Sequence, residues 1–268
     1  MSDHPELFLN DLVRQLGKPY GFERSVKFIP GRIFPDRALI SIHKSAFGIE
    51  PEASLESLLN KIKFPPDSLE RLFNGLAAAE VLHFGYEATE SGYIYKCYLE
   101  DVIAYNEAQR RKKSSEIPVY IAFKWSPFLD NSIRISHYRG FPSATLVNIR
   151  NIVESVYKDI QDSMCLTLIQ NILASHCSND IEKLPMVMMV NEEGNQRQSL
   201  DLNLYDCEIK VEDISDNLKL IVNYFQIPVS QWEAVTDIFK GKVLGHLSGG
   251  LDASNREFFT VYFGVEER

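Results

Sequence analysis

The chain has 268 residues, 45% of them hydrophobic and 24% charged, with 28 Lys and Arg against 37 Asp and Glu and a formal charge of −9. That composition belongs to a folded domain and excludes a disordered tail, a coiled coil and a collagen-like chain. The acidic surplus argues against a nucleic-acid partner, whose phosphates need a basic face, and no apolar run of about 18 residues is present to span a membrane. The polar, acidic opening Met1-Ser2-Asp3-His4-Pro5-Glu6 does not read as a signal peptide, so a cytoplasmic protein is expected. Cys97, Cys165, Cys177 and Cys207 form no CxxC pair and mostly sit in apolar runs, the pattern of buried free thiols rather than of a disulfide framework or zinc site.

In chain order, Leu7, Leu9, Leu12, Val13 and Leu16 lie on one stripe of a helix. Strands are expected over 22–29 and, more clearly, over 37–44, where β-branched residues alternate. A helix over 55–62 ends at Pro65-Pro66, because proline cannot continue it, and a second runs through Leu69, Leu72, Phe73 and Leu76. Strands follow at 81–87 and 93–100, turned at Ser91-Gly92. The basic stretch AQRRKKSSE within 101–116 reads as a solvated loop or helix end. Strands at 119–125 and 132–139 flank Pro127 and Asp130-Asn131. Helices at 146–160 and 165–174, strands at 186–191 and 198–205, helices at 214–225 and 230–239, and strands at 243–251 and 257–265 complete the chain. Five hairpins with interleaved helix pairs and no long linker suggest one domain over 1–268.

Residues 54–100 and 214–264 look like two copies of one unit. With Leu55 set on Leu218, Pro65 falls on Pro228, Glu70 on Glu233 and His83 on His246; after one extra turn residue, Lys96 falls on Thr260 and Tyr98 on Tyr262. The match is weak in identity and consistent in pattern. The two histidines read as structural groups.

Side-chain parity carries the functional signal, since alternate residues of a strand face opposite sides. Ile94, Lys96, Tyr98 and Glu100 share one face, with Tyr95, Cys97 and Leu99 on the other. The same division sets Tyr120, Ala122 and Lys124 against Ile121, Phe123 and Trp125, and Arg134, Ser136 and Tyr138 against Ile133 and Ile135. Arg197, Ser199, Asp201, Asn203 and Tyr205 oppose Leu200, Leu202 and Leu204, and Thr260 and Tyr262 oppose Phe259, Val261 and Phe263. A polar-x-Tyr element thus recurs at Lys96-x-Tyr98, Ser136-x-Tyr138, Asn203-x-Tyr205 and Thr260-x-Tyr262, with Ser41-x-His43 as a variant. The helices must cover the apolar face. The polar face then meets water in an open sheet, or lines a lumen if the ten strands close into a barrel that side chains cannot fill.

Helix pairs around a ten-stranded antiparallel barrel with a polar lumen resemble the ABBA, or PT-barrel, aromatic prenyltransferases. Lys96-x-Tyr98 is similar to the inward Lys-x-Tyr and Arg-x-Lys-x-Tyr elements of the fungal dimethylallyltryptophan synthases, whereas Ser136-x-Tyr138, Asn203-x-Tyr205 and Thr260-x-Tyr262 keep the tyrosine and lose the basic residue. The resemblance implies an α+β fold, with the barrel inside and paired helices outside. It also implies transfer of a short prenyl group from an isoprenyl diphosphate to a small indole or phenol.

That chemistry needs Lys and Arg donors for the leaving diphosphate, and aromatic faces to shield an allylic cation. Lys96, Lys124, Arg134 and Arg197 are the candidate diphosphate ligands, ringed by Tyr98, Tyr138, Tyr205 and Tyr262 with Asn203 beside them. Asp201, followed by Glu100 and Glu87, is the best-placed carboxylate to orient an acceptor and take its proton; pairing of Asp201 with Arg197 is the alternative. No cofactor is firmly implied. A Mg²⁺ ion is compatible, with Asp201 and Asn203 as the one candidate ligand pair, but no DDxxD-type motif is present. The Gly-rich run Gly245-His246-Leu247-Ser248-Gly249-Gly250 is not followed by a helix and reads as a bulged strand or close backbone approach rather than a phosphate cradle. A non-catalytic barrel or sheet that binds a small molecule or protein is the competing reading.

Overall fold

The computed structural model describes residues 4–89, 92–129, 133–180 and 183–268. Parts of the Ser91-Gly92 and Asp130-Asn131 turns, Ser132 and the first three residues fall outside the described residues. The strands are β1 (Gly21–Ile29), β2 (Arg32–Phe34), β3 (Arg37–His43), β4 (Val81–Thr89), β5 (Gly92–Glu100), β6 (Ile117–Trp125), β7 (Arg134–Gly140), β8 (Met186–Glu192), β9 (Gln198–Asn203), β10 (Leu244–Leu251) and β11 (Glu257–Glu267). The helices are α1 (Pro5–Arg14), α2 (Pro51–Lys61), α3 (Leu69–Leu76), α4 (Val102–Arg110), α5 (Leu146–Tyr157), α6 (Met164–Ser175), α7 (Ser215–Tyr224) and α8 (Val229–Thr236).

Ten strands pair antiparallel in the order β1-β3-β4-β5-β6-β7-β8-β9-β10-β11, and β11 returns to β1 through registers such as Ser25 with Tyr262 and Phe28 with Phe259. The sheet is therefore a closed barrel, and closure removes the two edges that an open sheet would leave unpaired. The short β2, not expected from the sequence, pairs only with the far end of β1 and stands outside the ring.

Local chemistry accounts for the helices. Pro5 and Pro51 sit in first turns, where a missing N–H costs nothing. Thr145 and Asn148 form a reciprocal cap on α5, and the Ser163 hydroxyl caps α6. The basic stretch is the solvated helix end that its composition suggests, but the helix before it was not expected: Asp101 accepts a hydrogen bond from the amide of Ala104 and starts α4, whose last turn carries Arg110. Arg110, Arg111, Lys112 and Lys113 are exposed at that C-terminal end, where cations complement the helix dipole. The missed signal was the cap, hidden by the polar run behind it.

Two apolar layers separate barrel from helices. Leu55, Leu59, Leu72 and Leu76 of α2 and α3 pack with Leu82, Phe84, Cys97 and Leu99. Val153, Ile169, Leu218 and Ile221 of the later helices pack with Leu200, Leu202, Leu204, Phe259 and Val261. Leu55 and its repeat partner Leu218 are both fully buried, and His83 faces Tyr98 across its hairpin as His246 faces Tyr262. The repeat is thus matched in packing and in register. Helix α4 differs from the others: Tyr105 packs with Val119 and Met188 and is joined by the lumen residues Tyr120 and Tyr138. It therefore packs on β6 near the end of the barrel that carries Tyr120 and Met188.

Candidate functional site

Each strand that crosses the barrel carries inward side chains at two depths, and these divide the lumen into two chambers. A cavity of 360 Å³ is lined by Lys27, Arg37, Lys96, Lys124, Arg134, Arg197 and Arg256 together with Glu87, Glu192 and Asp252. A second cavity of 310 Å³ is lined by Glu23, Glu100, Asp201, His83, His246, Tyr120 and Tyr205, with Ser41, Asn203 and Met188. Tyr98, Tyr138 and Tyr262 line both, so they form the partition. Following β5 from Lys96 through Tyr98 to Glu100, or the chain from Arg197 into β9 at Asp201, passes from the basic chamber to the acidic one.

The basic chamber contains an excess of cations over carboxylates among the described residues. Lys96, Lys124 and Arg37 are 8%, 5% and 5% exposed, so they are not solvated surface charges. Glu87 accepts from Lys96 Nζ at 2.6 Å and is paired with Arg37, whose Nε donates to Ser25 Oγ at 3.2 Å. Lys124 Nζ donates to Ser136 Oγ at 2.9 Å and stands 3.7 Å from Glu192, which Arg197 also reaches at 3.4 Å. Burial alone would raise the Glu87 carboxyl, but Arg37, Lys96 and Lys27 outweigh it and hold Glu87 well below the usual carboxylate range. Burial, helped by the Arg37 charge, pulls Lys96 down to about 7 despite Glu87, and burial pulls Lys27 down to about 8. Lys124 is lowered well below the ordinary lysine range by burial together with Arg197 and Lys96. Such crowded, half-neutralised amines are a site short of negative charge.

The acidic chamber is built on two histidine–carboxylate pairs at the repeat-related positions. Asp201 Oδ1 lies 2.6 Å from His246 Nδ1, and Glu100 Oε2 lies 2.9 Å from His83 Nε2. Tyr120 donates to Glu100 Oε1 at 2.8 Å, His83 Nδ1 is 2.7 Å from Ser41 Oγ, and Tyr205 donates to Glu23. Burial would depress His246, but Asp201 outweighs it and lifts the imidazole to about 9. Burial raises the Glu23 carboxyl. Burial would raise Glu100 too, yet hydrogen bonding from His83 and Tyr120 brings it below its ordinary value. Gly245 makes room for this arrangement: a Cβ there would stand 2.7 Å from the Tyr205 ring and closer still to Glu23. The register of β10 on β11 slips between Leu244 and His246, so the glycine run is both a bulge and a close approach.

The residues singled out by parity, other than His43, face the lumen. Lys96, Lys124, Arg134 and Arg197 line the basic chamber; Asp201, Glu100, Asn203 and Tyr205 line the acidic one. Four details differ from expectation. Asp201 pairs with His246, not Arg197. β9 ends at Asn203 because the chain turns there, the Asn203 side chain accepting from the amide of Tyr205; Tyr205 consequently stands at the acidic depth, not in the partition. His43 is exposed beyond the barrel and bonded to Ser45, so the Ser41-x-His43 variant contributes only Ser41 to the lumen. Asp201 and Asn203 are engaged by His246 and by the backbone, on the opposite side of the tyrosines from the cations, and do not fit a Mg²⁺ site for a diphosphate.

Sequence reasoning passed over Glu23, Lys27, Arg37 and Glu192, and gave His83 and His246 no place in the site. Parity contained the signal: Glu23, Ser25 and Lys27 alternate with Phe22, Val26 and Phe28, and Arg37 precedes Leu39 and Ser41 on one face.

No protein-family model matches the sequence, and no curated protein does. Solved structures do. The 5-dimethylallyltryptophan synthase from Streptomyces coelicolor superposes with a TM-score of 0.56 at 12% identity, over 91% of this chain and 80% of that one. The 6-dimethylallyltryptophan synthase from Micromonospora olivasterospora, in complex with DMASPP and Trp, gives 0.55 at 13% identity over 91% and 81%. NotF in complex with brevianamide F and DMSPP gives 0.57 at 12% identity over 92% and 79%. At that identity the likeness is one of architecture: the chain has the PT-barrel fold of aromatic prenyltransferases, with ten antiparallel strands closed around a polar lumen and helices outside.

Proposed function

We propose that this protein transfers a short prenyl group from an isoprenyl diphosphate to an aromatic acceptor. The observation that carries the proposal is the partition of Tyr98, Tyr138 and Tyr262 between a cation-rich chamber and a carboxylate-lined one. The diphosphate binds Lys96, Lys124, Arg37, Arg134 and Arg197. The allylic C–O bond breaks and its electron pair leaves with pyrophosphate, whose charge these donors stabilise. The allylic cation lies among the tyrosine faces, each contributing about 1–2 kcal/mol when desolvated. An aromatic carbon of the acceptor in the second chamber forms the new C–C bond, and the ring proton passes to a carboxylate there: Asp201, Glu100 or Glu23. The positive charge of the ring after attack is stabilised by the same groups. Structural neighbours crystallised with DMASPP and Trp, or with DMSPP and brevianamide F, support the two classes of ligand.

The test is incubation with dimethylallyl or geranyl diphosphate and a panel of indoles and phenols, followed by mass spectrometry for acceptor plus prenyl group. Tight binding of diphosphate without any prenylated product favours the non-catalytic binding barrel.

Diphosphate binding is also expected to take up protons. Lys96 and Lys27 stand at about 7 and about 8 in the free lumen. A bound anion raises both, so at pH 8 amines that were neutral become charged and affinity falls as pH rises from 7 to 9. Calorimetry with non-reacting dimethylallyl thiolodiphosphate at pH 8, in two buffers of different ionisation enthalpy, should read more than one proton taken up per ligand. Lys96→Met should reduce that number. Net proton release, or equal uptake by the variant, would refute the assignment of Lys96.

A further inference from the structure

We propose, resting on the prenyl-transfer reading, that the acceptor is an aromatic amine: a ring bearing a protonated amino group and no free carboxylate. The acidic chamber is lined by Glu23, Glu100 and Asp201, and no Lys or Arg is among its described lining residues. The molecule's inward Lys and Arg are gathered on the far side of the tyrosine partition. A substrate carboxylate placed here would lie beside three buried or half-buried acids, and the two histidines of the chamber are already taken, His246 by Asp201 and His83 by Glu100. Desolvating an anion without a counter-ion is strongly unfavourable.

The hydrogen bonds indicate where an ammonium group would go. Both oxygens of Glu100 are taken, Oε1 by Tyr120 and Oε2 by His83. Asp201 uses Oδ1 for His246, and Glu23 uses Oε1 for Tyr205. Asp201 Oδ2 and Glu23 Oε2 carry no hydrogen bond from the described residues, although Asp201 and Glu23 are 7% and 5% exposed. Two unfilled acceptor atoms at a cavity wall suit an –NH₃⁺ donor, which brings three N–H bonds and the missing charge. His246 is the one histidine held by Asp201, and that pairing neutralises it, so the chamber's surplus is negative. The aromatic part of the ligand meets Tyr120, Tyr205 and Met188.

The experiment measures binding apart from transfer. The full chain, saturated with dimethylallyl thiolodiphosphate, is titrated calorimetrically with tryptamine and tryptophan, and in a second ring series with tyramine and tyrosine. At least one amine should bind about tenfold or more tightly than its amino acid. Asp201→Asn and Glu23→Gln should each bring that ratio towards one, and two variants guard against loss of fold in either. Equal or tighter binding of the amino acids, or no binding of any of the four probes, would overturn the proposal. A clear amine preference with no prenylated product from dimethylallyl diphosphate would leave the charge selectivity standing and refute the transfer reading instead.

Discussion

Replacing Lys96 with alanine is expected to lower prenyl transfer by about 100- to 1,000-fold, roughly 2.7–4 kcal/mol of barrier, while the barrel stays folded. The size of the effect follows from the position. Lys96 is buried, its Nζ points into the basic chamber, and it sits two residues from Tyr98 on the same face. A donor there meets charge that develops on the leaving diphosphate in a site screened from bulk water, where electrostatic contacts are stronger than in solution. The fold should survive because Glu87 keeps Arg37 when Lys96 is lost, so no carboxylate is left buried without a cation. Initial rates with dimethylallyl diphosphate, beside circular dichroism of the variant, test this. Wild-type turnover by a folded Lys96→Ala protein would remove Lys96 from the diphosphate site.

The second large effect is expected on product partition. Tyr98, Tyr138 and Tyr262 meet edge to face or line the same boundary, with Tyr98 and Tyr138 ring centres 5.9 Å apart and Tyr120 a further 5.6 Å from Tyr138. Burial raises all three phenols, Tyr138 to about 12, so they remain neutral and present π faces with an undissociated hydroxyl. A phenylalanine keeps the face, and each Tyr→Phe change should cost about 1 kcal/mol or less, under tenfold in rate. Tyr→Ala at any of the three opens a path between the chambers and lets water reach the cation. Free prenyl alcohol should then rise from a minor to the main product, whereas Tyr205→Ala, which lies outside the partition, should alter acceptor binding without this diversion. The ratio of prenyl alcohol to prenylated acceptor, measured for all four variants, decides the matter. An unchanged ratio in two of the three partition variants would mean that the tyrosines do not shield a cation.

The alternation of residues in the strands was enough to determine which side chains point inward. Lys96 with Tyr98, Arg134 with Tyr138 and Arg197 with Asp201 all lie where their parity puts them, because a two-residue period leaves each side chain only two directions and the leucines and phenylalanines must take the helix side. The ten barrel strands and seven of the helices were legible for the same reason: each has an apolar face with its own period. Helix α4 was obscured because its polar surface outweighs the few residues, Tyr105 and Ala108, that it buries.

What parity cannot contain is depth. Whether Tyr205 stands level with Tyr98 depends on strand tilt, on the register slip beside Gly245 and on the turn after Asn203, all of which are set by packing between strands far apart in the chain. Ring closure through Ser25 and Tyr262 joins the first strand to the last, and only that long-range pairing brings Glu23 beside Tyr205, whereas Arg37 meets Glu87 and Lys96 through the neighbouring strands β4 and β5. The partner of Asp201 was decided there too: Arg197 is nearer in sequence, but His246 lies on the adjacent strand, diagonal to Asp201 and in the same chamber, and Arg197 is drawn to Glu192. The sequence alone determined an inward polar face rich in tyrosine and charge, because local periodicity fixes direction. The tertiary structure alone sorted that face into a cationic chamber, an aromatic partition and an acidic chamber, because the sorting depends on register and closure, which are properties of the whole ring.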